Sequence, residues 1–371
     1  MYHRTLVILF VATISLPLAG TIAGVDGGDP AAENRELASF PRWNGTWPSA
    51  QAYPDAFSRW FDDHFAGRAR MVRWYGESRL FGLRVSPSPD VLTGDDEWLY
   101  FADDGGVEDY TNAAPLRPGE IGAWHTAIVR ANEWLRHRKI GYVFTIAPDK
   151  HVIYPEHVPA TIRPASSRSR MDQVFATLAN TDVRSIDLRP ALLEAKTNER
   201  LYHKTDTHWN DRGALVAYQH LIEEVRRQVP ATPPAWTRDD FESVAREVQG
   251  KDLAGLLGLK RDLHETDLLL IPRRPRRARV VEPAGADPMA EAGRLVTEIP
   301  GSSLPRALIF RDSFATRLVP LLSEHFSRAV YLWQNDFEPY FVSREHPDVV
   351  IEEIVGRHLY TFLPSPDLVP Q

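Results

Sequence analysis

The period of the apolar positions changes along the chain, and with it the expected element. Phe57, Trp60, Phe61 and Phe65 recur at i, i+3, i+4 and i+8, which predicts a helix whose aromatic stripe is a core face. After a turn in DVLTGDDEWLYFADD (residues 90–104), Trp98, Leu99 and Tyr100 read as a short strand or hairpin. Beyond Pro118 the pattern switches repeatedly. Residues 121–139 read as helix, 141–147 (GYVFTIA) as a buried strand, 170–180 as helix and 183–188 as a strand. Residues 212–229 form a helix with Leu215, Tyr218, Leu221 and Ile222 on one face. The apolar runs 307–310, 329–333 and 348–355 are strands, and FATRLVPLLSEHF (314–326) reads as a helix. Strand and helix alternating at this spacing predict an α/β fold, a mostly parallel sheet covered by helices on both faces. Residues 231–300 are Pro-rich and less regular, as in an insertion or a long excursion.

The start of the chain is different in kind. Residues 6–25 (LVILFVATISLPLAGTIAGV) carry no charge and follow Arg4. About 20 apolar residues suffice to span a bilayer, and Arg4 would keep the preceding end cytoplasmic. Thr21-Ile22-Ala23 also offers a small-x-small cleavage site. Export is therefore expected, with a retained anchor and a cleaved signal both open. Pro, Gly, Ala and Asn dominate the next stretch with little periodicity. The expected organisation is a leader over 1–25, a linker or draped segment over 26–56, and one catalytic domain over 57–371.

A chain of 371 residues supports one large or two ordinary domains. Its net charge of −7 argues against a nucleic-acid partner. Arg273, Arg274, Arg276, Arg277 and Arg279 form a local basic cluster that reads as a solvated turn. Cysteine is absent, which excludes disulfides, a thiolate nucleophile and thiolate-bound zinc.

Two loops carry reactive groups. In ALIFRDSFA (307–315) an apolar run leads directly into Arg311-Asp312-Ser313 and then a helix. A serine there sits where amides at a helix start can stabilise an oxyanion, although Asp312 or Ser313 as a plain helix cap fits the same pattern. The other loop is YHKTDTHWNDRG (202–213), with Asp206 two residues before His208. A serine hydroxyl needs a base to take its proton, and that base needs a partner to fix its tautomer. Ser313, His208 and Asp206 are the candidate set, both loops being placed at carboxyl ends of strands. His203, Asp206 and His208 as metal ligands, and a solvated loop with no chemistry, are the competing readings. His125, His151, His157 and His220 have no ligand-like spacing, so no metal or cofactor is expected.

From these residues the chain resembles the AlgJ/AlgX type of SGNH-hydrolase-like polysaccharide O-acetyltransferases. The resemblance rests on seven blocks in order: ENRELASFP (33–41), FSRWFDDHFAGR (57–68), GDDEWLYF (94–101), APDKHVIYPEHVP (147–159), TDTHW (205–209), GKDLAGLLGL (250–259) and RDSFA (311–315). It implies a three-layer α/β/α fold, permuted so that Asp-x-His precedes the serine. It further implies Ser313 as nucleophile carrying an acetyl ester, His208 as general base and Asp206 as orienting partner. A polysaccharide acceptor such as alginate, a membrane-bound O-acyltransferase as acetyl supplier, and a periplasmic or inner-membrane-anchored location are also implied. An acetyl esterase and a non-catalytic glycan-binding component are the alternatives.

Arg311 stands where the resembling family has glycine, and reads as tightening the turn or placing a positive charge beside substrate. Gln334 and Asn335, on the loop after strand 329–333, are candidate oxyanion donors or plain loop amides. Lys150 and Tyr154, both candidate substrate contacts, lie just beyond the GYVFTIA strand. Only six of the 43 basic residues are lysines, so Lys150 is not part of a basic coat. It reads as a contact to a sugar hydroxyl or acidic glycan, or as a loop brace. Trp209 is an apolar sugar platform or packing beneath the loop.

Overall fold

The computed structural model describes residues 2–24, 37–282 and 293–369. Parts of three expectations lie outside these residues: 26–36 of the linker, 33–36 of the first resembling block and 283–292 of the excursion. The chain divides into two compact units, one of residues 1–93 and 249–264, the other of 94–248 and 265–371.

The first unit is helical. An apolar helix runs over Tyr2–Ile22. The helix expected from Phe57 starts earlier, at Trp47, and ends at His64. Its start signals are Thr46, whose side chain accepts from the Ser49 amide, and a proline in the first turn. Pro54 lies inside it. A helix over Arg68–Glu77 and a π-helical turn over Ser78–Gly82 follow, with Asp252–Leu256 as a short helix of the returning segment.

The second unit is built on a seven-stranded sheet. In chain order its strands are β1 (Gly141–Ala147), β2 (Ser185–Asp187), β3 (Arg279–Glu282), β4 (Arg294–Glu298), β5 (Arg306–Arg311), β6 (Arg328–Trp333) and β7 (Val349–Val355), arranged β2-β1-β7-β5-β6-β4-β3. The five strands from β2 to β6 pair in parallel, for example Val349 with Gly141 and with Ala307. β4 and β3 continue the sheet antiparallel. β1 and β7 are buried almost throughout, as central parallel strands must be.

Alternate residues point to opposite faces. Tyr142, Phe144 and Ile146 of β1 join Phe310, Leu332 and Ile354 in one core with Trp124, Ile128 and Leu135 of the helix Pro118–His137 and Val174 of the helix Arg170–Leu178. The intervening Val143, Ile309, Tyr331 and Ile351 are equally buried, as are Leu215, Tyr218, Leu221 and Val225 of the helix Asp211–Gln228. Both faces of the sheet are thus covered.

The sequence reading differs from the structure in two stretches here. The run 314–326 is a broken helix: a 3₁₀ turn over Phe314–Leu318, one α-turn over Val319–Leu322 and a 3₁₀ turn over Ser323–His325. Pro320 sits at the start of the α-turn, where its missing N–H does no harm but ends the turn before it. Of residues 231–300, those described within this unit, 231–248, 265–282 and 293–300, are a regular part of it. They supply β3 and β4 and a two-stranded ribbon of Phe241–Gln249 with His264–Pro272. The ribbon strand Phe241–Gln249 is exposed along most of its length and lacks the apolar alternation that would reveal it.

Candidate active site

Ser313 follows β5 directly, at its carboxyl end, and opens the 3₁₀ turn Phe314–Leu318. Asp312 fixes this turn. One carboxylate oxygen accepts from the Phe314 amide at 2.8 Å and the other from the Val355 amide at 2.6 Å, tying the serine turn to the end of β7. The Phe314 amide is therefore committed to Asp312, which removes it as a donor to an oxyanion.

The loop bearing Asp206 and His208 is not at a strand end. It lies between the helices Arg189–Ala195 and Asp211–Gln228, pinched by an antiparallel bridge between Tyr202 and Trp209. Gly213 ends the motif because nothing larger fits: a Cβ there would lie 2.4 Å from the Leu201 carbonyl oxygen. Asn210 caps the following helix, accepting from the Arg212 and Gly213 amides.

The two loops converge. His208 Nε2 lies 2.9 Å from Ser313 Oγ, and His208 Nδ1 lies 2.7 Å from Asp206 Oδ1. The His208 amide donates to the same carboxylate oxygen at 3.0 Å. An ionised carboxylate only accepts, so the proton belongs on Nδ1 and Nε2 is left to accept from the serine hydroxyl. Burial would raise the Asp206 carboxyl, but the hydrogen bond and charge of His208, with His203 behind, hold it well below the usual carboxylate range. Asp206 is ionised wherever the histidine needs it.

The residues read as substrate contacts turn out to support this loop from beneath. Lys150 is buried, and its ammonium donates to the carbonyls of His203 (3.0 Å), Lys204 (3.1 Å) and Asp206 (2.6 Å). Three donors meet three acceptors, so the sugar-contact reading of Lys150 gives way to the brace. Tyr154 is also buried and accepts from the Leu201 amide through its hydroxyl. Trp209 is fully buried, and its indole donates to the Phe314 carbonyl at 3.0 Å, linking the two loops. It is packing beneath the loop and offers no platform. Glu265 completes the support, accepting from the Lys204 amide and the Thr205 hydroxyl at 2.8 Å each.

Arg311 is fully buried. It donates to the Asp312 carbonyl and Thr316 Oγ1, and its guanidinium lies 4.5 Å from the Trp333 ring centroid. Its charge stabilises the turn from within and does not face a substrate. Gln334 donates to the Asp336 carbonyl. Asn335 lies 3.4 Å from His358, whose ring also approaches Asp312 (3.4 Å) and Asp104 (3.1 Å). His203, a member of the metal reading, sits 3.7 Å from both Glu265 and Asp267.

Sequence reasoning missed the carboxyl end of β7. Arg357 forms a buried pair with Asp149 at 2.7 Å, and the same carboxylate accepts from the Arg357 amide. Glu353 accepts from the Asp312 amide at 3.2 Å. Burial, and then the Asp312 charge, push its carboxyl well above the usual range. The signal was present: VGRH follows an apolar strand just as RDSF does.

Residues 91–329 match the family model described as "SGNH hydrolase-like domain, acetyltransferase AlgX". Among curated proteins, the chain is 31% identical over 189 residues to a probable alginate O-acetylase AlgJ of Pseudomonas syringae pv. tomato, covering 50% of this chain and 44% of that protein. It is 31% identical over 140 residues to the AlgJ of Pseudomonas aeruginosa, covering 37% of this chain and 34% of that one. The chain thus spans less than half the length of both relatives. Among solved structures, Bacillus cereus PatB1 aligns with a TM-score of 0.53 at 19% identity, over 72% of this chain and 97% of that one, a likeness of fold.

Proposed function

The chain belongs to the SGNH hydrolase-like acetyltransferases of the AlgX type, and from that premise we propose that it acetylates hydroxyls of an exported polysaccharide through an ester on Ser313. The observation that carries the reading is the continuous relay from Asp206 through His208 to Ser313, at 2.7 and 2.9 Å. His208 Nε2 takes the hydroxyl proton as Oγ attacks the acetyl carbonyl. The donor's acyl bond breaks, and the proton passes from His208 to the leaving group. A sugar hydroxyl then enters, gives its proton to His208 and takes the acetyl group, which restores the serine. Asp206 keeps the imidazole in the required tautomer and offsets its transient positive charge.

The relatives named alginate O-acetylases make alginate the proposed acceptor. A membrane-bound acyltransferase is the proposed source of acetyl groups, with the site on the exported side of the membrane whose crossing the N-terminal helix permits.

A small acetyl ester with alginate oligosaccharides as acceptor tests this. Wild-type protein is expected to give acetylated sugar, and mass spectrometry to find an acetyl group on the peptide containing Ser313. Ser313→Ala should lower turnover by about 10⁴-fold or more, as loss of a nucleophile does elsewhere. Unchanged turnover in Ser313→Ala and His208→Ala would remove the mechanism. Free acetate with no acetylated sugar would make the protein an esterase.

A further inference from the structure

We propose that, with the N-terminal helix spanning the membrane, the segment 68–82 beside it lies in the lipid headgroup region. The helix Tyr2–Ile22 has 21 residues, a rise of about 32 Å at 1.5 Å per residue, which matches a hydrocarbon core of about 30 Å. Its Leu6, Ile8 and Phe10 are exposed, with none of the described residues covering them. At its far end Thr21 Oγ1 donates to the Pro17 carbonyl and accepts from the Ala66 amide at 3.0 Å. Residue 66 is thereby held where the anchor leaves the hydrocarbon.

The helix Arg68–Glu77 starts two residues later and is apolar on two sides. One side is closed by the chain itself. A Cβ on Gly76 would lie 2.9 Å from the Leu257 carbonyl oxygen and 3.1 Å from Leu259. A Cβ on Gly258, at a φ of +70°, would lie 2.8 Å from Val72. Positions 72 and 76 therefore face residues 257–259. The other side carries Met71, Trp74 and Tyr75 at i, i+3 and i+4, continued by Phe81, and these are 57%, 71%, 50% and 56% exposed. A soluble protein seldom shows water a stripe of this kind.

A lipid surface is the occupant that fits. The stripe continues from the end of the anchor, so it starts at bilayer depth. Tryptophan and tyrosine are the residues that settle at the interface. Arg70 and Arg84 flank the stripe, where headgroup phosphates would meet them. A helix with one apolar face and arginines along its margin is built to lie in the plane of the membrane.

The absence of cysteine makes the test direct. Full-length Met71→Cys, Trp74→Cys and Arg261→Cys proteins each take one nitroxide and are reconstituted in phosphatidylcholine–phosphatidylglycerol vesicles. Collisions with oxygen and with a water-soluble nickel chelate report depth. Labels at 71 and 74 should lose nickel collisions, gain oxygen collisions and sit about 5–10 Å inside the headgroup boundary. The label at 261, next to the segment on the opposite side of the helix, should stay nickel-accessible. Labels at 71 and 74 that meet nickel as freely as 261 would overturn the proposal. So would protection from both reagents, which means a protein partner, or a mature chain found to begin at Gly24.

Discussion

Lys150→Met separates a residue that touches substrate from one that holds the site. The substitution keeps the apolar stem and deletes three donors at 2.6–3.1 Å to the carbonyls of His203, Lys204 and Asp206. Losing the hydrogen bond at a buried carbonyl costs about 1–3 kcal/mol, and less at Lys204, whose carbonyl also accepts from the Leu99 amide at 2.9 Å. Simple addition overstates the loss, because Asp206 and His208 are partly exposed and water can reach part of the loop. About 3–5 kcal/mol is the expected cost, the usual figure for removing one partner of a buried charged contact. Glu265 still holds Lys204 and Thr205, so the loop should loosen around Asp206 without unfolding the unit. A misplacement of about 1 Å in a catalytic group lowers rates by roughly 10²-fold. Urea denaturation and acetyl transfer from a small ester to a sugar acceptor, with kcat and KM separated, read both quantities. The expected result is a lower midpoint and a lower kcat, with KM for the sugar acceptor little changed. Unaltered stability with a raised acceptor KM would refute the reasoning and return Lys150 to the substrate.

Two further perturbations probe the scaffold. Glu352 of β7 accepts from the Tyr142 hydroxyl at 2.7 Å, and burial pushes its carboxyl up from 4.5 to about 7. A raised carboxyl favours the fold fully below its unfolded value and loses that advantage as pH rises through the folded one. Glu352→Gln should therefore flatten the stability loss between pH 4.5 and about 7 and raise stability at pH 8 by up to about 3 kcal/mol. Denaturation midpoints with the wild-type pH slope would exclude this. Gly213→Ala should destabilise by roughly 1–3 kcal/mol despite alanine's better helix propensity, because its Cβ meets the Leu201 carbonyl at 2.4 Å. Thermal unfolding tests it, and an unchanged or higher midpoint would show that the backbone yields.

The central sheet was legible because burial on both faces leaves continuous apolar runs. Residues 141–147 agree with β1 end to end, and 307–310, 329–333 and 348–355 fall within a residue of β5, β6 and β7. Edge elements lack that constraint. β3 is largely exposed, and the ribbon strand Phe241–Gln249 has one buried residue, so neither writes its period into the chain. Helix starts fixed by caps and prolines, as at Thr46, precede the periodic stripe and are easily placed too late.

The site divides along a different line. That Asp206, His208 and Ser313 come together was legible because the proposed acyl transfer would need those three types, and few loops offer them two by one. For Lys150, Trp209 and Arg311 the sequence left two readings open, for a reason that local sequence cannot remove. A polar side chain at the carboxyl end of a strand can face the cleft or fold beneath it, and both placements satisfy its hydrogen-bonding groups. What decides is whether enough backbone acceptors lie below, and that depends on residues far away in the chain. Lys150 finds its three carbonyls more than fifty positions later, and Trp209 finds the Phe314 carbonyl 105 positions on. Arg311 completes the argument from the other side. A glycine at that position would leave the Asp312 carbonyl and Thr316 without their guanidinium, so the serine turn of this chain is held by a buried cation that no inspection of RDSF alone distinguishes from one reaching for substrate.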